Sequence, residues 1–361
     1  MLRRNMTARP GGTVALFNRD LWAMRRRIEA ATGLRPVARL ADARGVDAVA
    51  VWGARQSGWL ARRVARRRGL RCVVLEDGFL RSLAPGRQWR GVGLIADAEG
   101  IWYDTAVPGR LARLIDRRAI DPGAGGDVRK VLRAGRLSKY TPPPTPVPRN
   151  VFHPDPTRNV VVVDQRPGDA ALGGMRRDVF VRMLQAAACD HPDARVLIRA
   201  HPDGRCGGHF SARALASAAA SCSATAEALR SGRVRWLAPS VAPYDIFDRV
   251  ATVHVATSLM GLEALIAGCV TVCHGPAFYA GRGLTDDRFA VPRLRPASLN
   301  GVLAAAYLDH CTWFSPEGDT PVSFFEAAAR LRQDSARGMG VPARRPGRFG
   351  FLRAGLLRSA A

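Results

Sequence analysis

Short apolar runs alternate with stretches of helical period along most of the chain, the pattern of parallel α/β units. Val46–Trp52 is an apolar run of strand length, and Ser57–Arg68 carries Leu60, Ala61, Val64 and Ala65 on one inward helical face. Gly69 stops that helix, and Arg71–Leu75 is the next strand. These segments predict one βαβ unit. The turn sequence Asp97-Ala98-Glu99-Gly100, between Gly93–Ala96 and Ile101–Tyr103, predicts a β-hairpin. Helical pieces around Leu111–Ile115 and Val128–Leu137 close the first half.

Thr141-Pro-Pro-Pro-Thr-Pro-Val-Pro148 holds five prolines, which remove donors and fix φ, so it reads as a semi-rigid spacer. A second series begins at once, with strands at Asn159–Val163, Arg195–Ile198, Val234–Leu237, Thr252–Ala256 and Val270–Cys273. The intervening helices are Arg176–Cys189, Ala212–Leu229, Tyr244–Arg249 and Gly261–Ala267. The expected organisation is a Rossmann-like lobe over 1–140, a linker over 141–150, and a second Rossmann-like lobe over 151–334. From Ser335 to residue 361 the chain is rich in Gly, Pro and Arg and is expected to be loosely ordered.

At 361 residues with 47% hydrophobic content, the chain can fill such lobes, and disorder is excluded as its main state. No apolar stretch reaches the 18 or more residues of a spanning helix. Seven cysteines without a C-x-x-C pair argue against a disulfide framework, so the chain reads as cytosolic and reduced. The net charge of +25 is nearly all arginine, the lysines being Lys130 and Lys139 alone. It clusters at Arg62–Arg68 and again at Arg344–Arg358, and is otherwise dispersed. Phosphate-bearing small molecules or anionic lipid therefore fit better than nucleic acid.

Ligands of open parallel sheets bind beyond the carboxyl ends of strands. Five polar clusters stand there: Glu76–Ser82, Asp164–Asp169, Arg199–Asp203, Thr257–Glu263 and Gly275–Asp287. Thr257 and Ser258 before a helix offer a phosphate seat or an ordinary cap. Glu263, one of seven glutamates, suits ribose hydroxyls. His201, with Arg199 beside it and Pro202 fixing the backbone, suits a phosphate or a structural role. Asp169 lies in a Pro-Gly loop and Glu76 opens the facing cluster; each reads as a turn residue or as half of a carboxylate pair for retaining glycosyl transfer. Cys269, Cys273 and His274 lack a fourth ligand at zinc spacing, and no P-loop or dinucleotide fingerprint occurs.

EDGFLRS at 76–82, GIWYD at 100–104, SKY at 138–140, DQRPGD at 164–169, HPD at 201–203, TSLMGLEAL at 257–265 and PAFYAGRGLT at 276–285, together with Trp52-Gly53, resemble the capsular polysaccharide synthesis family of KpsC/LipB type. These are bacterial retaining β-Kdo glycosyltransferases using CMP-Kdo. The resemblance runs from about residue 46 to 330 and implies a GT-B-like α/β fold of two Rossmann-like lobes, 1–140 on the acceptor side and 151–334 for the nucleotide sugar. Members often carry two such modules, whereas this chain holds one. Ala171, Arg282, Arg199 and Thr141 depart from the usual serine, tryptophan, lysine and asparagine, and the first two are expected to line the site.

The mechanism implied is double displacement, with Asp169 as nucleophile, Asp164 as its rival, and Glu76 as base toward the acceptor. Arg199, His201 and Pro202, with Thr257, Ser258 and Gly261, would receive the donor phosphate, Glu263 the ribose, and Gln165 would join this donor set. Arg81 is the expected fork for the sugar carboxylate. No metal or other cofactor is expected. The partners are a CMP-sugar donor, a lipid-linked or glycan acceptor, an anionic inner-membrane surface met peripherally, and capsule assembly or export proteins. An inert sugar- or lipid-binding partner of that machinery and a polyanion-binding module are the competing classes.

Overall fold

The computed structural model describes residues 11–38, 45–54, 58–86, 91–105, 109–143, 147, 150–176, 178–201, 208–290 and 294–338. The chain begins with β1 (Thr13–Leu16), α1 (Arg19–Ala23), α2 (Arg25–Thr32), β2 (Arg35–Ala38) and β3 (Ala48–Trp52). It continues through α3 (Trp59–Arg68), β4 (Arg71–Asp77), β5 (Gly93–Asp97), α4 (Arg110–Arg118) and α5 (Gly125–Ala134). In α3, Ala61 and Ala65 face inward as expected, but Leu60 is 41% exposed.

The second series is β6 (Asn159–Val163), α6 (Asp178–Asp190), β7 (Arg195–Arg199), α7 (Ala212–Ala220), α8 (Ser223–Arg230) and β8 (Val234–Leu237). It runs on through α9 (Pro243–Phe247), β9 (Thr252–Val255), α10 (Met260–Ala267), β10 (Val270–Cys273) and β11 (Asp286–Asp287). The single helix expected over 212–229 is two, broken at Ser221-Cys222, where the extended Cys222 precedes a new first turn. The strands form a six-stranded parallel sheet in the order β11-β10-β9-β6-β7-β8. Every residue of β6, NVVVV, is buried, as a central parallel strand covered on both faces requires.

The expected continuous lobe over 151–334 is corrected by the last part of the chain. After α11 (Leu299–Leu303) and a π-helical turn over Ala304–His310, β12 (Cys311–Phe314) joins the other sheet, followed by β13 (Pro321–Val322) and α12 (Phe324–Ala336). The first sheet has the order β13-β12-β5-β4-β3-β1-β2, with β12 antiparallel to β5. β12 takes the edge of β5 that the expected hairpin would have occupied. No hairpin forms: Asp97 accepts the amides of Glu99 and Gly100 at 2.7 and 3.3 Å, and residues 101–105 carry no strand. Trp102 then packs on Phe79 and Phe278 instead of pairing as a strand.

The aromatic cluster of Tyr307, Trp313 and Phe324 explains the return, since it buries large apolar surface beside α5. One apolar core accordingly runs from Phe79 and Leu80 through Val161 and Leu197 to Tyr279 and Tyr307. The start of the tail expected from Ser335 is helical, since α12 runs to Ala336. Ser335 is buried within α12 and donates to the Pro142 carbonyl at 3.2 Å; residues 339–361, with the second arginine cluster, lie outside the described residues.

Candidate active site

Glu76 and Asp77 are the last two residues of β4, not a solvated turn. Glu76 Oε1 accepts the Asp77 amide at 3.1 Å, and Oε2 accepts the Tyr103 hydroxyl at 3.4 Å. That hydroxyl also accepts the Ala54 amide at 3.1 Å. Gly53 makes the meeting sterically possible: its φ is +51°, and a Cβ there would stand 3.0 Å from Glu76 Oε2 and 3.1 Å from the Tyr103 oxygen. Burial, and then the charges of Glu76 and Asp169, push the Tyr103 phenol well up, so it stays a proton donor. Asp169 belongs to the other sheet's rim, and its charge is felt at Tyr103.

On that second rim, Asp164 follows β6 and is buried. Its Oδ1 accepts the amides of Gln165 at 2.8 Å and His209 at 3.0 Å, and Oδ2 lies 3.2 Å from the latter. Burial raises its pKa against the pull of these bonds. Asp169, five residues on, is half-buried and caps a short turn through the Ala171 amide at 3.0 Å. Gln165 links the rim laterally. Its Oε1 accepts the Thr257 amide at 2.9 Å, while Nε2 reaches Thr257 Oγ1 at 3.2 Å and Asp169 Oδ2 at 3.5 Å. Thr257 therefore faces Gln165, and Ser258 Oγ caps the first turn of α10 through the Met260 amide at 3.2 Å.

Between the rims lies a hydrogen-bonded joint that sequence reasoning missed. Glu263 is buried on α10 and its Oε1 accepts the Lys139 amide at 2.7 Å. The Lys139 carbonyl accepts the amides of Arg81 and Ser82 at 2.9 and 3.3 Å, and Thr141 N donates to the Ser82 carbonyl at 3.0 Å. Burial lifts Glu263 to about 7, opposed by the Lys139 amide and by the charges of Lys139 and Arg199. Burial lowers Arg199 to about 10, with Glu263 opposing; its Nη1 donates to the Ala238 carbonyl at 2.9 Å. Burial also works against the Lys139 ammonium, but the charges of Tyr140, Glu76 and Asp77 outweigh it and hold its pKa above the ordinary lysine value.

Beside Glu76 a cavity of about 660 Å³ opens between Gly53, Ala54, Ile101 and the face of α3 carrying Trp59, Arg62 and Arg66. Cys269, Cys273 and His274 do not converge: Cys269 Sγ faces the carbonyls of Phe247 and Val250, and His274 pairs with His254 at 3.1 Å.

Residues 47–138 and 149–312 match the family described as "Capsule polysaccharide biosynthesis protein". The chain belongs to that family. Among its capsule-family relatives, "Capsule polysaccharide modification protein LipA" of Neisseria meningitidis serogroup A is 31% identical over 322 residues, 82% of this chain and 43% of that protein. "Lipopolysaccharide-processing protein LpsZ" of Rhizobium meliloti is 34% identical over 250 residues, 65% of this chain and 52% of that protein. The chain thus spans about half the length of these curated relatives or less. Among solved structures, the β-Kdo 2,4 transferase of Thermosulfurimonas dismutans KpsC superposes with a TM-score of 0.74 at 28% identity, covering 89% of this chain and 98% of that one. The β-Kdo 2,7 transferase of the same protein gives 0.64 at 25% identity, covering 90% and 99%. The fold is the GT-B-like pair of Rossmann-like lobes.

Hydrogen bonds link the GIWYD, EDGFLRS, SKY, TSLMGLEAL and DQRPGD motifs, with the last two joined through Thr257 and Gln165, although several residues do other work than expected. Arg81 is folded into its own loop, with Nε on Asp77 at 2.8 Å, Nη1 on Ser82 Oγ at 3.1 Å, and Nη1 and Nη2 on the Gly86 carbonyl at 3.3 and 3.2 Å. Gly261 packs inward: a Cβ there would lie 2.2 Å from the Tyr279 hydroxyl oxygen and 2.9 Å from Val255 Cγ2, so its glycine character serves packing. Glu263 is engaged with the Lys139 amide. Arg282, expected to line the site, is buried and pairs with Asp116 on α4 at 2.7 Å, joining the lobes. His201 is half-buried directly after β7, and Pro202 lies outside the described residues. Tyr103 and Lys139 were visible beforehand only as members of the GIWYD and SKY motifs, without roles.

Proposed function

We propose that this chain is a retaining glycosyltransferase of capsule synthesis that moves Kdo from CMP-Kdo to a glycan acceptor by double displacement. The reading rests on Glu76, hydrogen-bonded to Tyr103, and on Asp169, whose charge reaches the same phenol from the other rim, because a retaining transfer needs two carboxylates at one reaction centre. The similarity to the two β-Kdo transferase structures supports the choice of sugar.

In the first step Asp169 attacks the anomeric carbon as CMP departs, forming a glycosyl-enzyme ester. Gln165, 3.5 Å from Asp169 and bonded to Thr257, steadies that carboxylate. Asp164 is the poorer nucleophile, since its oxygens are occupied by backbone amides. In the second step Glu76 takes the proton of the acceptor hydroxyl, which attacks the same carbon from the vacated face. Tyr103, kept protonated, orients Glu76 and moderates the repulsion between the carboxylates. The departing phosphate is met by His201, Ser258 and the positive field of Arg199, without a metal. With Arg81 tied into its loop, Lys139 is the better partner for the sugar carboxylate.

The cavity beside Glu76 is the acceptor side, and its arginines suit an anionic glycan or lipid-linked head group. Its α3 face also suits a peripheral encounter with anionic lipid; no helix among the described residues is long and apolar enough to cross a membrane. Incubating the protein with CMP-Kdo and a Kdo-terminated glycan tests the proposal. One CMP released per sugar added, with the donor's anomeric configuration kept in the product by NMR, is the expected result. An inverted product would overturn the double displacement, and use of another CMP-sugar with CMP-Kdo refused would overturn the donor.

A further inference from the structure

On the second lobe, the helices α6 and α8 bring two thiols together. Cys189 is exposed in the last turn of α6, and Cys222, half-buried, is the residue before α8. Their sulfurs lie 3.4 Å apart, although 33 residues separate them in sequence. The contact is held by groups other than the sulfurs. Gln185 of α6 donates to the Ala218 carbonyl at 3.2 Å and to Ser221 Oγ at 2.8 Å, fixing the α7–α8 corner against α6.

We propose that Cys189 and Cys222 are a redox modification site that closes to a reversible disulfide with a peroxide as oxidant. The Cys222 thiolate attacks one peroxide oxygen, the O–O bond breaks, and hydroxide leaves as water, giving a sulfenic acid. The Cys189 thiolate then attacks the Cys222 sulfur, the S–S bond forms, the S–O bond breaks, and a second water leaves. The two thiols together lose two electrons, which the peroxide gains.

The order of the steps follows from the surroundings. The Thr225 hydroxyl, the first-turn amides of α8 and the Cys189 thiol lower the Cys222 pKa against its burial, whereas hydrogen bonding to Cys222 raises that of Cys189. Burial raises the thiols of Cys72, Cys269, Cys273 and Cys311, which makes them poor competitors. Cys206 lies outside the described residues.

The full chain, treated with stoichiometric hydrogen peroxide and quenched with an alkylating agent, provides the test. The expected result is a mass loss of about 2 Da, a fall of two in the seven titratable thiols, and one linked peptide pair joining Cys189 to Cys222, all reversed by dithiothreitol. The oxidised chain should also melt at a higher temperature, since the bond closes a long loop. Cys189→Ser should accumulate a dimedone-trappable sulfenic acid on Cys222, and Cys222→Ser should form no link. Separate alkylation of both cysteines after oxidation, or a link from either one to Cys206, would overturn the proposal.

Discussion

On the second sheet's rim, Asp164 is sealed beneath the amides of Gln165 and His209, while Asp169, five residues later, is half-exposed and meets the Ala171 amide and Gln165 Nε2. On the first sheet's rim, Asp77 holds Arg81 at 2.8 Å, while the adjacent Glu76 accepts the Tyr103 hydroxyl. Each rim thus pairs a carboxylate that builds its loop with one that we propose takes part in the transfer. The residue types are the same, and the partners decide the role. Glu263 is the extreme of the first kind, buried between Lys139 and Arg199 where it joins both rims.

The largest effect should come from exchanging the two aspartates. Asp169→Asn is expected to lower transfer by about a thousandfold or more, since an amide is not an anionic nucleophile, with the melting temperature unchanged. Asp164→Asn should do the reverse, losing about 2 kcal/mol of stability because it replaces a charged acceptor with a group that also donates. Kinetics and denaturant unfolding of both variants, side by side, would break the comparison if their effects were interchanged.

Glu263 sharpens it through pH. Its folded pKa of about 7 lies above the ordinary value of 4.5, so the folded state holds the proton more tightly than the unfolded state. The stability this contributes is complete below about pH 4.5 and is lost as pH rises through about 7. Glu263→Gln keeps an oxygen for the Lys139 amide and removes the titration. Relative to wild type it should gain up to about 3 kcal/mol between pH 5 and 8, measured by unfolding at each pH. A difference that stays flat with pH would show that Glu263 is charged throughout.

The smallest effect is expected at Arg81. Arg81→Lys loses the fork onto the Gly86 carbonyl and should cost about 1 kcal/mol, with KM for the donor changed less than about threefold. A tenfold rise in that KM would return Arg81 to the sugar carboxylate.

Much of this architecture was legible in the sequence because its strands are continuous apolar runs. β6 matches its predicted limits residue for residue, the clusters after β4, β6 and β9 stand on the rims, and Arg199 and His201 stand at the end of β7. The rest depended on long-range pairing. β12 is a four-residue strand, CTWF, and nothing local in it says that it pairs with β5, more than two hundred residues earlier. Motif membership likewise marked Arg81, Gly261, Glu263 and Arg282, but could not distinguish a side chain that meets substrate from one that holds a loop, fits beneath a tyrosine or joins two lobes.

In the proposed reaction Asp169 becomes covalently glycosylated and Glu76 passes the sugar on. Glu76→Gln blocks the second step alone, so this variant, incubated with CMP-Kdo, should show a persistent Kdo-sized increment by intact-mass spectrometry, mapped by peptide fragmentation to Asp169. An increment mapped to Asp164, or none at all while the wild type turns over, would contradict the account.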